Sequence, residues 1–548
     1  MRFSLIGLLL FVPLWSHALL FNNSPHMDDV REMQQQGYHD QAFSVAKKLA
    51  KNGNPQAQHF LGMSYQQGHG RNQNSAQAYQ WFKRAAIEHF PPSQYQLGDS
   101  YQHGKGVIAS LSSAILWYKK AAKQNHVDAQ LQLAALYQQD NPEEAVYWLR
   151  QAAKQKNVDA QYQMGKWHET RGKEAPEHFK DALKWYKKAA RQQHPDSLLA
   201  IGLLTNEGHG VIQNAKKAAK WYRKSAELNH PVAAHLLATM KQFGEGVDVD
   251  LQQAIKWYQV AAKQNDREAM FQLSLLYTHP ENEKQNTEKA NFWLAKAAEK
   301  KHKNAMVLWA DQLQNTNPND NSQQIETLYR QAAEQKHPGA VVKLARWLQQ
   351  QSPNNPEIVH WYQTALTFPS PHPEALYQLA YLTEHGLLGQ TKNFEKSLSL
   401  YQKSAKAGHA EAAFQLGKAH YNDQELSANH PQALRWFRKA AIQNHPAAQY
   451  YLGWLHSQGT NVPKSPKKSL QWITRSAQNG YPSAQFSLGK IYSDHPQNYL
   501  RAYFWLSLAT TVKPQAKNAL SALKLKMNTE EIQQAEQLLQ EWHSRSDL

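Results

Sequence analysis

The stretch DALKWYKKAARQQHPDSLLAIG, residues 181–202, sets two aromatics beside two lysines, then two alanines, then a turn. Taken alone it is a basic–aromatic surface; taken as one copy of many it is a helix. It is one of many. WYKKAA begins at Trp117 and again at Trp185, WFKRAA at Trp81, WYRKSA at Trp221, WYQVAA at Trp257 and WFRKAA at Trp436. Weaker copies begin at Trp148, Trp293, Leu328, Trp361, Leu400, Trp472 and Trp505. Successive copies lie 31 to 39 residues apart, most often 36, and self-similarity at that period marks a stacked repeat.

Each copy holds two amphipathic segments. In the one at Trp81, residues Ala78, Trp81, Phe82, Ala85 and Ala86 fall at i, i+3, i+4, i+7 and i+8, one apolar stripe of a helix. Lys83 and Arg84 lie off the stripe and read as a solvated face. The other segment, AQHFLGMSYQQG at 57–68, carries an apolar–small pair that recurs from Leu61-Gly62 to Leu488-Gly489, its small member always five residues after an Ala or Ser. Glycine inside a helix costs about 1 kcal/mol against alanine, so its recurrence points to two helices in close approach.

Spacing separates two kinds of connection. From the small residue to the aromatic the count is 19 in seven copies and 14 to 20 in the rest; from the aromatic to the next small residue it is 17 in eleven of twelve. The turn between copies is therefore fixed. The loop inside a copy, often glycine-rich as in QHGKGV and NEGHGV, absorbs length, and its glycines suit a left-handed helix cap. The exception runs from Trp361 to Ala380 and holds FPSPHPE at 368–374. These features give an all-α chain, an α/α solenoid of about thirteen helical hairpins in a right-handed superhelix.

The pattern of an Ala, Leu-Gly, a Gly-x-Gly-Val loop and Trp-Tyr-x-x-Ala-Ala with a Gly or His-Pro turn resembles the Sel1-like repeat, a relative of the tetratricopeptide array, over residues 38–510. The organisation expected is a degenerate repeat or cap at 19–54, one array at 55–314, degenerate repeats with a hinge at 315–373, a second array at 374–512 and a capping helix at 513–548. The resemblance implies a scaffold or adaptor for protein–protein interaction, exported members serving envelope assembly, exopolysaccharide export, signalling or host-cell interaction.

Residues 1–18, MRFSLIGLLLFVPLWSHA, pair one basic residue with an apolar run and end Ser16-His17-Ala18, the pattern of a signal peptide. Leu19 stands where a lipoprotein needs cysteine, so the expected location is periplasmic or secreted. No later window reaches the ~20 apolar residues of a membrane span. The 548 residues include no cysteine, which excludes zinc–thiolate sites, thiol nucleophiles and disulfides. With 61 basic against 44 acidic residues the net charge is +17. In an exported chain that favours anionic envelope polysaccharide as a second partner class. Aromatics at core positions argue against nucleic acid.

Chemistry is sparse. Eight histidines, His126, His194, His230, His302, His337, His372, His409 and His445, sit one per turn. A row at repeat spacing is not a set of converging ligands, so no metal and no cofactor is expected. Ser-x-x-Lys occurs at Ser44, Ser465, Ser487 and Ser521 without the companion motifs of β-lactam-binding enzymes, leaving a cell-wall hydrolase as the least favoured reading. The candidate partner-binding residues lie on the first helix of the copies. Gln96, Gln132, Gln163, Gln272, Gln378 and Gln415 stand two before the small residue, and Lys166, Asp311, Arg346, Lys418 and Lys490 one after it. A step of three puts both positions on one face, the concave one by the resemblance.

Overall fold

The computed structural model describes residues 26–280, 285–421, 429–460 and 462–546; the signal-peptide segment 1–18 lies outside them. The chain divides into two compact units, one up to Gln285 and one from Asn286. Among the described residues all regular structure is helical, thirty α-helices and one short 3-10 turn. The first unit begins with the hairpin Met27–Gln35 and His39–Lys51. Six repeat hairpins follow, from Pro55–Gln67 with Ser75–Ile87 to Pro231–Phe243 with Leu251–Lys263, and then the helix Arg267–Thr278. The second unit begins at Thr287–Glu299 and also holds six hairpins, from Lys303–Thr316 with Ser322–Glu334 to Pro482–Ser493 with Tyr499–Ala509, closed by Pro514–Lys524 and Thr529–Ser546. The degenerate copies within 315–373 still fold as hairpins and lie wholly in the second unit.

The glycine of the first helix is there for the second of the two aromatics. A Cβ on Gly62, Gly98, Gly165, Gly202 or Gly417 would come within 3 Å of the ring of Phe82, Tyr118, Tyr186, Tyr222 or Phe437 respectively. Those rings are almost fully buried, whereas Trp81, Trp117, Trp185, Trp221 and Trp436 are only half-buried. The two aromatics that share one stripe in the sequence are therefore not equivalent in the fold. The i+4 position faces the glycine of its own hairpin. In these copies the i+3 position sits at the stripe's edge and packs on a cluster shared with the preceding hairpin, as Trp185 does against the cluster that holds Val146 and Ala152.

The cations stay on the solvated face, and the edge position of the indole gives one of each pair a partner there. Lys120 lies 3.8 Å above the Trp117 ring, Lys188 3.8 Å above Trp185, Arg84 4.6 Å above Trp81 and Lys224 4.8 Å above Trp221. One cation of each pair is thus stacked on indole, an attraction of about 0.5–1 kcal/mol at an exposed site.

The constant spacing of 17 has a local cause. In each of those eleven turns one residue is left-handed: His89, Asn125, Lys156, Gln193, Asn229, Asn265, Lys301, Lys336, Gly408, Asn444 and Gly480. The next residue donates its N–H back to the helix just ended, as His126 does to the Ala121 carbonyl and His230 to Ser225, the six-to-one bond of a Schellman turn. That same residue is the N-cap of the following helix. Two helix ends share one residue, and no slack remains. The Phe368–Glu374 turn has no left-handed residue and follows a second helix, Glu357–Ala365, of only nine residues.

The loops are built differently. Gly68, Gly104, Gly208, Gly244, Gly386 and Gly459 are left-handed caps of the first helix. The second glycine reaches another copy: a Cβ on Gly106, Gly210 or Gly246 would strike the backbone at Ser75, Phe179 or Ala215, where the preceding second helix begins. The loop therefore has one free stretch and one contact that only glycine allows.

Candidate functional site

The polar face of the first helices starts at the turn histidines. The Nδ1 of His126 accepts the N–H of Ala129, and the same bond runs from Ser197 to His194, Ala233 to His230, Ala305 to His302, Ala340 to His337, Glu374 to His372, Ala412 to His409 and Ala448 to His445. A backbone N–H can only donate, so these rings are neutral with the proton on Nε2. That proton points to a carboxylate on the preceding first helix: His230 to Asp196 at 3.3 Å, His409 to Glu374 at 3.1 Å and His445 to Glu411 at 2.7 Å. Each of these three histidines thus caps its own helix and ties it to the one before. Burial holds His126, His337 and His372 below the usual imidazole pKa, and donation from His409 brings Glu374 down to about 2.

On that frame nine of the eleven candidate residues fall into three groups. In the second unit Gln378 donates to Glu374 and Gln415 to Glu411, each one turn back, and Lys418 donates to Gln415. Gln272 in the first unit donates to Glu268 in the same way. The amides are oriented by the carboxylates beneath them. A second group is held in ion pairs: Asp311 takes Lys343 and the Tyr329 hydroxyl, and Arg346 lies 3.6 Å from Glu374. Gln163, Lys166 and Lys490 form the third group. They are exposed, the lysine ammonium groups lying over the rings of Tyr162 and Phe486, 5.8 and 6.0 Å from their centres. Gln96 and Gln132 are half-buried on the same face. Gln163 and Lys166 also rim a groove of about 620 Å³ whose floor is apolar, formed by Leu131, Ala135, Val146 and Leu149.

A row of buried amides escaped the sequence reading. Gln58, Gln94, Gln130, Gln161, Gln449 and Gln485 follow the recurrent Ala or Ser, and each donates to the last alanine carbonyl of the preceding second helix, for example Gln94 to Ala86. Their own oxygens accept from the end of the next second helix: Gln124 to Gln94, Gln155 to Gln130, Gln192 to Gln161 and Asn479 to Gln449. The signal was the recurring Ala-Gln or Ser-Gln dipeptide. Where Glu88 stands in the donor's place, the Gln58 oxygen is buried without a partner.

Three of the four Ser-x-x-Lys serines have structural bonds. Ser44 donates to the Asp40 carbonyl, Ser465 caps the helix at Lys468, and Ser487 meets the Tyr450 hydroxyl at 3.4 Å.

Eleven segments match the Sel1 repeat model: seven run from 55 to 302 and four from 373 to 511, together more than half of the chain. The two hairpins between them are the degenerate ones. Among solved structures, that of c5321, a protective antigen of uropathogenic Escherichia coli displaying an SLR fold, is 29% identical over 91% of this chain and 94% of its own, with a TM-score of 0.42. A Sel1 repeat protein from Oxalobacter formigenes is 27% identical over 52% of this chain and 90% of its own, also with a TM-score of 0.42. No curated protein matches the chain.

Proposed function

Since the chain belongs to the Sel1 repeat family, whose arrays are a protein-interaction scaffold type, we propose that it is a non-enzymatic scaffold of the bacterial cell envelope. On this reading it holds an envelope or host protein on the first-helix face. The observation that carries the assignment of the face is the groove rimmed by Gln163 and Lys166. Apolar area beside an exposed polar rim is how interaction sites combine burial with register. The signal-peptide pattern at 1–18 supports the envelope as the place of work.

The test is affinity capture from envelope extracts with the mature chain as bait, followed by variants. Lys166→Glu and Ala135→Trp, which reverses the rim and fills the floor, should abolish recovery of the main captured protein while leaving the melting temperature unchanged. Lys187→Glu with Arg223→Glu, exposed on second helices, should leave it intact. The opposite result would move the partner to the second-helix face. The stacked cations at Trp117, Trp185 and Trp221 favour one other reading, retention of anionic envelope polysaccharide. It requires capture that weakens steeply with salt and is lost with Lys120, Lys188 and Lys224.

A further inference from the structure

Histidine spacing in the sequence relates the turn histidines to one another and leaves out a pair the fold brings together. His168 lies on the helix Val158–Gly172, and His178 and Asp181 lie one turn apart on its hairpin partner Glu177–Ala190. The Nδ1 atoms of the two imidazoles are 3.2 Å apart, and an oxygen of Asp181 completes a set of three ligand atoms all within 4.8 Å of one another. We propose that His168, His178 and Asp181 bind a divalent late transition-metal ion, zinc being the best fit, with a water in the fourth position.

Three observations carry this. The first is distance. Two nitrogens each about 2.0–2.1 Å from a tetrahedral ion stand about 3.3 Å from one another, and the two rings already hold that edge. The second is ligand chemistry: two imidazoles and a carboxylate form the borderline nitrogen–oxygen set that suits zinc and its neighbours, and three protein ligands leave one coordination position open.

The third is position. In other hairpins this corner of the loop is closed through the backbone. The N-cap of the second helix donates its N–H to the third residue after the small one: Asn74 to Tyr65, Ser110 to Tyr101, Asn214 to Thr205 and Asp250 to Lys241. The N-cap side chain then accepts from the helix, as Asn74 does from Gln77. By alignment those two positions are here His168 and His178. The first helix runs on to Gly172, the second starts after Pro176, and no side chain caps it. Two ligating side chains occupy the point where the other copies use a cap, and a metal would join the same two helices.

Nearby cations weaken the site without closing it. Lys184 holds one Asp181 oxygen at 2.9 Å, but that lysine is well exposed and a surface pair of this kind is worth at most about 1 kcal/mol. Arg171 is stacked 4.1 Å above Trp167.

Cobalt(II) reports four-coordination by its visible absorption. Metal-stripped mature chain, without a histidine tag, should develop intense visible bands on titration with cobalt(II), lose them to added zinc(II), and melt at a higher temperature with zinc than without. His178→Gln and Asp181→Asn, both at partly exposed positions, should keep the helical circular dichroism and lose the bands and the zinc-dependent rise together. Trp167, whose ring is 4.7 Å from His168, gives an independent readout, since copper(II) should quench its fluorescence in the parent and not in the variants. Absence of bands in the parent overturns the proposal, leaving a hydrogen-bonded histidine pair. So do bands that persist in both variants, which would put the ion on other histidines of the 27 in the chain.

Discussion

The turns between copies and the loops within them connect the same two kinds of helix, yet they tolerate change differently. A turn spends every residue. Asn229 is left-handed, His230 closes the Schellman bond, and the same His230 caps the next helix and reaches Asp196. A loop such as the one after Gly208 spends two glycines, one as a cap and one against Phe179, and leaves the rest free. Length is therefore constrained by how many bonds a segment shares between neighbours, not by whether it is a loop.

Inserting one glycine should break the comparison if it is wrong. Placed between Asn229 and His230, it separates the Schellman bond from the cap and shifts the helix Pro231–Phe243 against Ala215–Glu227, which it packs on. We expect a local loss of at least about 3 kcal/mol, the size of a large core truncation, read as faster hydrogen exchange across 195–266. Placed between Ile212 and Gln213, it should cost well under about 1 kcal/mol, because loop entropy grows slowly with length. Equal costs would mean that the turn is not the rigid element.

Acid should attack the turns before the loops. His59 packs near Phe90 and bonds Ser93 just past the first turn, and burial, with His126 nearby, brings its pKa down to about 4. The folded state then binds fewer protons than the unfolded one, whose imidazole titrates near about 6.5. Stability is complete above that pH and is lost as pH falls from about 6.5 to 4, by up to about 3 kcal/mol in the hairpins around it. Glu374 acts in a lower window: its depressed pKa adds stability above about 4.5 that disappears as pH falls toward 2. His59→Gln should flatten the upper limb of the stability–pH curve alone.

The two glycines of one loop make a finer comparison. Gly106→Ala drives a Cβ into the Ser75 backbone at positive φ and should cost about 2–3 kcal/mol. Gly104→Ala meets only ordinary contacts and should cost about 1 kcal/mol, the left-handed penalty by itself. Urea unfolding of both variants measures the difference. The smallest effect is a gain. Glu88→Gln restores the donor missing from the Gln58 oxygen and removes a negative charge from a helix C-terminus, for about 1 kcal/mol.

Period, hairpin and fixed turn were legible because each rests on spacing summed over many copies. Which aromatic is buried was not. Trp221 and Tyr222 both lie on the apolar stripe, and only the direction of Gly202 decides between them. The buried amides were hidden for a related reason. Gln94 bonds Ala86 eight residues back and Gln124 thirty residues on, and glutamine in an amphipathic pattern gives no sign of either. Among the candidate binding residues, sequence put Arg346 and Lys166 in one class. The fold separates them, since Arg346 already has Glu374 as a neighbour and Lys166 faces outward.

The fused turn also bears on how such a gene changes. Apart from the Phe368–Glu374 turn, the junctions present the same half-motifs, a left-handed residue on one side and a cap on the other, so a recombination event that joins one such turn to another restores a complete joint at once. Gain or loss of whole copies leaves nothing to repair, and each copy depends only on its neighbours. A deletion of any other length survives only inside a loop, as the short connection between Tyr137 and Pro142 illustrates. The number of copies is therefore the most freely inherited variable of this chain, and its reach along a partner can be altered by a single crossover.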